Sequence, residues 1–144
     1  MIISMIITDR NFFSKTGKIL AIDWGEKRIG LAVSDPEQKF VFTRPAVNTI
    51  DNVQCTIDNE DVVGIVIGLP LRLDGTESET TKKVREFAEQ LSIVNCTLPI
   101  ILFDESLTSH AASEYDGDRK RHKKQLSNLD SESAKILLEN FLKL

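Results

Sequence analysis

Three acidic positions stand where a folded core does not ask for charge. Asp23 interrupts the apolar run Ile19 to Trp24, and Asp104 with Glu105 ends another, Ile100 to Phe103. Asp130 lies four, seven and eight residues before Ala134, Leu137 and Leu138, on the apolar stripe of a C-terminal helix. Clustered carboxylates repel one another and raise their pKa values unless a cation offsets them. Oxygen donors with no His or Cys beside them suit Mg²⁺ or Mn²⁺ rather than zinc. Two such ions about 3.5–4 Å apart activate a water and stabilise the leaving oxygen of a phosphodiester. Each acid also has an ordinary reading: Asp23 as a buried carboxylate bonded to backbone, Glu105 as a solvated strand end, Asp130 as a helix N-cap. On spacing alone Asp104 and Glu105 are equally placed.

Competing chemistries are poorly supplied. Cys55 and Cys96 are far apart, and His110 and His122 are the only histidines, neither near a cysteine. A structural zinc site needs about four such ligands, so reduced thiols are expected. No Ser/His/Asp or Cys/His arrangement is present, and His110 falls on a predicted helix as a packing or surface residue. The basic charge is concentrated instead. Arg119, Lys120, Arg121, Lys123 and Lys124 place five positive charges within six residues, and without them the net charge of −4 becomes −9. Such a run is either a solvated loop or an arm for polyanions.

The elements that must position these groups can be read in order. Length and composition, 144 residues with 41% hydrophobic and 28% charged, fit one globular domain. Residues 1–17 show no period and are expected to form a loosely attached, flexible extension ahead of a domain over 18–144. Met1 to Ile7 lacks the features of a signal peptide, and no run approaches the ~20 residues that span a bilayer. A cytoplasmic protein with no membrane attachment is expected.

Ile19 to Trp24 reads as a buried strand, and Arg28 to Ser34 pairs with it as a hairpin across Gly25-Glu26-Lys27. Phe40 to Thr43 is a third strand, Ile50 to Asn59 a weak helix, and Val62 to Leu69 a fully buried strand. Thr80 to Val94 carries helical spacing, Ile100 to Phe103 is a strand, and Leu107 to Tyr115 a helix. The last helix is predicted over Asp130 to Leu142. Strands alternating with helices after an opening hairpin predict a mixed five-stranded sheet flanked by helices. That order matches a three-layer ribonuclease-H-like α/β fold. In such sheets the ligand crevice opens at the carboxyl ends of parallel strands. Asp23 and Asp104/Glu105 belong to that edge, whereas Asp35 ends an antiparallel strand and falls at the opposite one.

The same residues sit in recognisable strings. Asp23-Trp24-Gly25-Glu26-Lys27-Arg28-Ile29-Gly30-Leu31-Ala32-Val33-Ser34-Asp35 resembles the opening motif of the YqgF family of pre-16S rRNA nucleases, also called Holliday-junction-resolvase-like proteins. Val66 to Pro70 with Asp74-Gly75, Val84 to Ala88, Asp104 to Ser109 and the Asp130 helix follow in that family's order. The resemblance covers Lys18 to Leu144. It implies Asp23, Glu105 and Asp130 as catalytic, metal-binding acids, with Glu105 favoured over Asp104. It also implies Lys27, Arg28 and the Arg119 to Lys124 segment as nucleic-acid contacts. Ser106 stands where the family has Arg, Ser133 replaces a small apolar residue, and Trp24 is bulkier than the usual neighbour of the first acid.

The implied activity is Mg²⁺- or Mn²⁺-dependent hydrolysis at the 5′ end of precursor 16S rRNA, with ribosomal particles as partners. Two alternatives follow from the same motifs. A resolvase of four-way DNA junctions makes two symmetric cuts and so acts as a homodimer rather than a monomer. A ribosome-associated binder would keep the fold without catalysis. The D-x-G hairpin also opens the actin and sugar-kinase fold, but those proteins close two such domains around ATP.

Overall fold

The computed structural model describes residues 2–3, 13–95, 97–104 and 126–143, with the side chains of 2–3 and 126–130 excepted. Its elements are β1 (Ile2–Ile3), β2 (Lys18–Asp23), β3 (Ile29–Ser34), β4 (Val41–Val47) and α1 (Ile50–Glu60). They continue with β5 (Val62–Leu69), α2 (Glu79–Val94), β6 (Ile100–Asp104) and α3 (Leu126–Leu142). The sheet order is β1-β6-β5-β2-β3-β4. Strands β1, β6, β5 and β2 run parallel, while β3 is antiparallel to both β2 and β4.

Strands β2, β5 and β6 each face two helical layers. Leu20, Ile22, Ile65, Ile67, Ile100 and Leu102 pack with Val53 and Ile57 of α1 and with Val84, Phe87 and Leu91 of α2. Ile19, Ala21, Val66, Ile101 and Phe103 pack with Ala134, Leu137, Leu138 and Phe141 of α3. Burial on both faces explains why β5 reads as an uninterrupted apolar run. Thr49 caps α1 by accepting from the Asn52 N–H, and Ser78 with Thr81 forms a capping box on α2.

The expected five strands are present as β2 to β6, and Ile2–Ile3 adds a short sixth against β6. Beyond this pair, the described N-terminal residues 13–17 also contact the domain. Phe13 is 3% exposed and its ring lies 5.5 Å from that of Phe141. Gly64 makes room for it, since a Cβ there would come within 2.6 Å of the Phe13 ring. Gly17 adopts φ +111 and donates to the Pro36 carbonyl, while the Gln38 amide donates to the Ser14 and Gly17 carbonyls.

Two boundaries differ from expectation. Strand β4 runs on to Val47, because the ladder absorbs Pro45 in a bulge between the pairs Leu31–Arg44 and Ile29–Val47. Helix α3 begins at Leu126 rather than Asp130. The predicted helix over Leu107 to Tyr115 and the basic segment Arg119 to Lys124 lie outside the described residues.

Candidate active site

Asp23 is the last residue of β2 and half-buried. Side chains alternate along a strand, so Asp23 shares the α3 face with Ile19 and Ala21. It follows the register pair Ile22–Ile67 and so lies alongside Gly68, which is paired in turn with Phe103. The row across β2, β5 and β6 thus reads carboxylate, no side chain, aromatic ring. Gly68 contributes no side chain beside the carboxylate, at the carboxyl ends of three parallel strands.

Asp104 ends β6 at this edge, paired with Leu69. Its alternation is with Ile100 and Leu102, which pack toward α1 and α2. Asp104 and Asp23 therefore occupy opposite faces of the sheet, a distinction that motif spacing alone left open. Glu105 lies outside the described residues.

Asp130 is the fifth residue of α3, the helix whose Ala134, Leu137, Leu138 and Phe141 cover the Asp23 face. A helix starting at Leu126 removes the N-cap explanation for this acid. The side chain of Asp130 itself is outside the description, but the turn that carries it is anchored. The neighbouring Ser131 is fully buried; its hydroxyl donates to the Arg44 carbonyl at 2.6 Å and accepts from the Leu31 N–H at 3.4 Å. Both partners flank the β4 bulge, so one hydroxyl ties α3 to β3 and β4. Ser131 has no signature in the local sequence, since these partners are 87 and 100 residues away.

The β2–β3 turn brings Lys27 and Arg28 to the Asp23 edge, where both are exposed. Glu26 in the same turn pairs with Lys83 of α2. That hydrogen bond and charge hold the Glu26 carboxyl below its ordinary range. The partly buried Trp24 packs on the α1/α2 core, away from the face of Asp23. Asp35 has a structural task at the opposite edge: it accepts the Lys39 and Phe40 N–H groups at 2.7 and 2.8 Å. Among the described residues no three His, Cys, Asp or Glu side chains converge as a metal site. The chemistry of the candidate acids nevertheless fits a hard divalent cation, because all their donors are carboxylate oxygens. No helix among the described residues is long and apolar enough to cross a membrane.

A mixed sheet with a leading antiparallel hairpin, helices on both faces and an acid closing the central strand defines the ribonuclease-H-like class. A solved structure of that class, "T. thermophilus RuvC in complex with Holliday junction substrate", matches with a TM-score of 0.56 over 88% of this chain and 94% of that one. At 14% identity this likeness speaks for the fold. The family follows from sequence: the RuvX model, described as "Holliday junction resolvase", matches residues 17–144, and the chain belongs to that family.

A relative from Maridesulfovibrio salexigens, named "Putative pre-16S rRNA nuclease", is 47% identical over 87% of this chain and 97% of its own length. One of the same name from Orientia tsutsugamushi is 37% identical over 99% of this chain and 94% of its own. The chemistry of the family is hydrolysis of phosphodiester bonds in nucleic acid.

Proposed function

We propose that this protein is a Mg²⁺- or Mn²⁺-dependent nuclease that trims the 5′ end of precursor 16S rRNA, with Asp23, Glu105 and Asp130 as its acidic centre. The observation that carries the reading is Asp23, a half-buried carboxylate on the α3 face beside the bare Gly68. Asp104 lies on the opposite face of the sheet and is left out of the set, and Glu105 follows it in the sequence. Asp130 belongs to α3, the helix that packs on the Asp23 face. Together the three carboxylates would hold divalent ions, which when bound activate a water and offset the charge of the phosphodiester.

The remaining groups serve binding. Lys27 and Arg28 are exposed at the same edge, suited to phosphate oxygens. The segment containing Arg119, Lys120, Arg121, Lys123 and Lys124 joins the β6 end to α3 and acts as a phosphate-contacting arm. Five such contacts give a slope of log affinity against log salt of about −0.9 per contact on duplex. The names of the relatives favour RNA as substrate; the enzyme would meet it on ribosomal particles in the cytoplasm.

A second reading rests on the family description and on the junction bound to RuvC: hydrolysis of four-way DNA by a homodimer. The two separate in one experiment, incubation of the protein with a 5′-extended 16S precursor and with a four-way DNA junction under the same metal. Shortening of the RNA alone by a monomer supports the first. Paired symmetric cuts in the junction by a dimer replace it with the second.

A further inference from the structure

The loop between β5 and α2 rises from the carboxyl end of the strand that separates Asp23 from Asp104. It is braced throughout. The Thr81 hydroxyl donates to the Pro70 carbonyl, and Leu71 bridges Glu77 in antiparallel fashion. The Arg72 N–H donates to the Thr76 carbonyl at 2.9 Å, and the Gly75 N–H returns to the Arg72 carbonyl at 2.8 Å, closing a tight turn over residues 72–75. Asp74 accepts both the N–H and the hydroxyl of Thr76, at 2.9 and 2.6 Å. Glu77 is held by Arg85 of α2 at 2.7 Å. Gly75 supplies the φ of +86 that the turn requires.

At the apex of this braced turn stands Leu73, 100% exposed, with the exposed Arg72 before it. The described residues include four other exposed large apolar side chains: Phe40, Phe42, Ile93 and Val94. Those lie at the start of β4 and the end of α2, toward the opposite edge of the sheet. Leu73 alone of the five stands at the edge of Asp23. Apolar side chains presented on a fixed backbone are used to wedge between bases and unstack them.

We propose that Leu73 is a base-contacting wedge for the nucleic-acid substrate, with Arg72 beside it on phosphate. The proposal rests on the nuclease reading and extends it. The braced turn holds the leucine out on a backbone already ordered before binding. Leu73 takes the face of an unpaired base near the scissile phosphate, and the neighbouring guanidinium fixes the backbone. The loop then selects strands that can be unstacked where the carboxylates act.

The test uses a 5′-extended 16S precursor fragment carrying 2-aminopurine at successive positions around the mature 5′ end. It is bound to full-length Asp23→Asn protein so that cleavage does not intervene. The expected result is a fluorescence rise at one position, abolished by adding Leu73→Ser and retained with Leu73→Phe. Leu73→Ser is also expected to weaken binding about tenfold, and Arg72→Gln to reduce the salt slope by about one.

An unchanged fluorescence rise with Leu73→Ser at saturating protein would overturn the proposal. So would weakened binding to ribosomal particles with undiminished binding to the RNA, which assigns the loop to a protein partner. If unsubstituted protein cleaves the precursor and Leu73→Ser does so at equal kcat/KM, the wedge fails and the nuclease reading stands. If the unsubstituted protein neither binds nor cleaves the RNA, both fall.

Discussion

The hydroxyl of Ser131 donates to the carbonyl of Arg44 across 2.6 Å, joining a helix to an edge strand 87 residues earlier in the chain. Arg44 is held at its other end too, where its guanidinium pairs with Glu60 at the end of α1. One residue of β4 is therefore clamped from both helical layers. The clamp fixes the turn of α3 on which Asp130 lies, and with it the approach of that helix to the Asp23 face.

Ser131→Ala removes a hydroxyl from a fully buried position and leaves the Arg44 carbonyl without this donor. A buried group stranded in that way costs about 1–3 kcal/mol. Urea unfolding is expected to show a loss of roughly that size with an unchanged m-value. Metal-dependent cleavage is expected to fall further than the folded fraction does, because the turn bearing Asp130 is released. A variant equal to the parent in stability would show that the clamp contributes nothing.

Glu60 makes a pH-dependent contribution. Its carboxylate accepts from Arg44 and, at 3.0 Å, from Lys18. The Arg44 hydrogen bond chiefly holds its pKa below the ordinary 4.5, with burial opposing and Lys18 assisting. A depressed pKa in the folded state means stability fully present above about pH 4.5 and lost as pH falls through the folded value. Glu60→Gln is expected to cost about 1 kcal/mol at neutral pH, in the range of partly exposed ion pairs. Thermal unfolding should show the gap between the two proteins closing as the pH drops below that window. A gap constant down to pH 3 would contradict this assignment.

Phe13 fills the space over Gly64 and touches Phe141. Phe13→Ala is expected to destabilise the domain by about 3–5 kcal/mol, the usual cost of emptying a buried aromatic site. Gly64→Ala forces a Cβ against the same ring and is expected to cost about 1–3 kcal/mol by overpacking. The two together should cost less than their sum, since the alanine methyl then meets no ring. Denaturant melts of the four proteins complete the cycle, and strict additivity would deny the contact.

Much of this architecture was legible in local pattern. The continuous apolar run of β5 announced a strand buried on both faces, and the spacing of Val84, Phe87, Ala88 and Leu91 gave α2. Alternation with Ile19 and Ala21 placed Asp23 on the face that α3 covers. What escaped was non-local or ran against propensity. Pro45 argues against a strand, and only the bulge carries β4 past it. Asp130 read as an N-cap, so α3 was expected to start there rather than at Leu126. The pairing of Ile2–Ile3 with β6 and the fit of Phe13 over Gly64 depend on partners distant in sequence. The clamp of Ser131 on Arg44 does so as well.

The candidate acids divide in the same way. Asp23 could be found because a charge inside an apolar run violates the pattern of its own element. Asp104 and Glu105 could not be separated by spacing, and the faces of β6 now set Asp104 with Ile100 and Leu102.

The central claim is metal-dependent hydrolysis dependent on the Asp23 carboxylate. The most direct measurement is the single-turnover rate of 5′-extended 16S precursor shortening in Mg²⁺ or Mn²⁺, for the unsubstituted protein and for Asp23→Asn. Substitution is expected to lower the rate by about 10²–10³-fold or more, with the fold intact by circular dichroism and calorimetric metal binding lost. Equal rates for the two proteins, or cleavage that persists in excess chelator, would contradict the account.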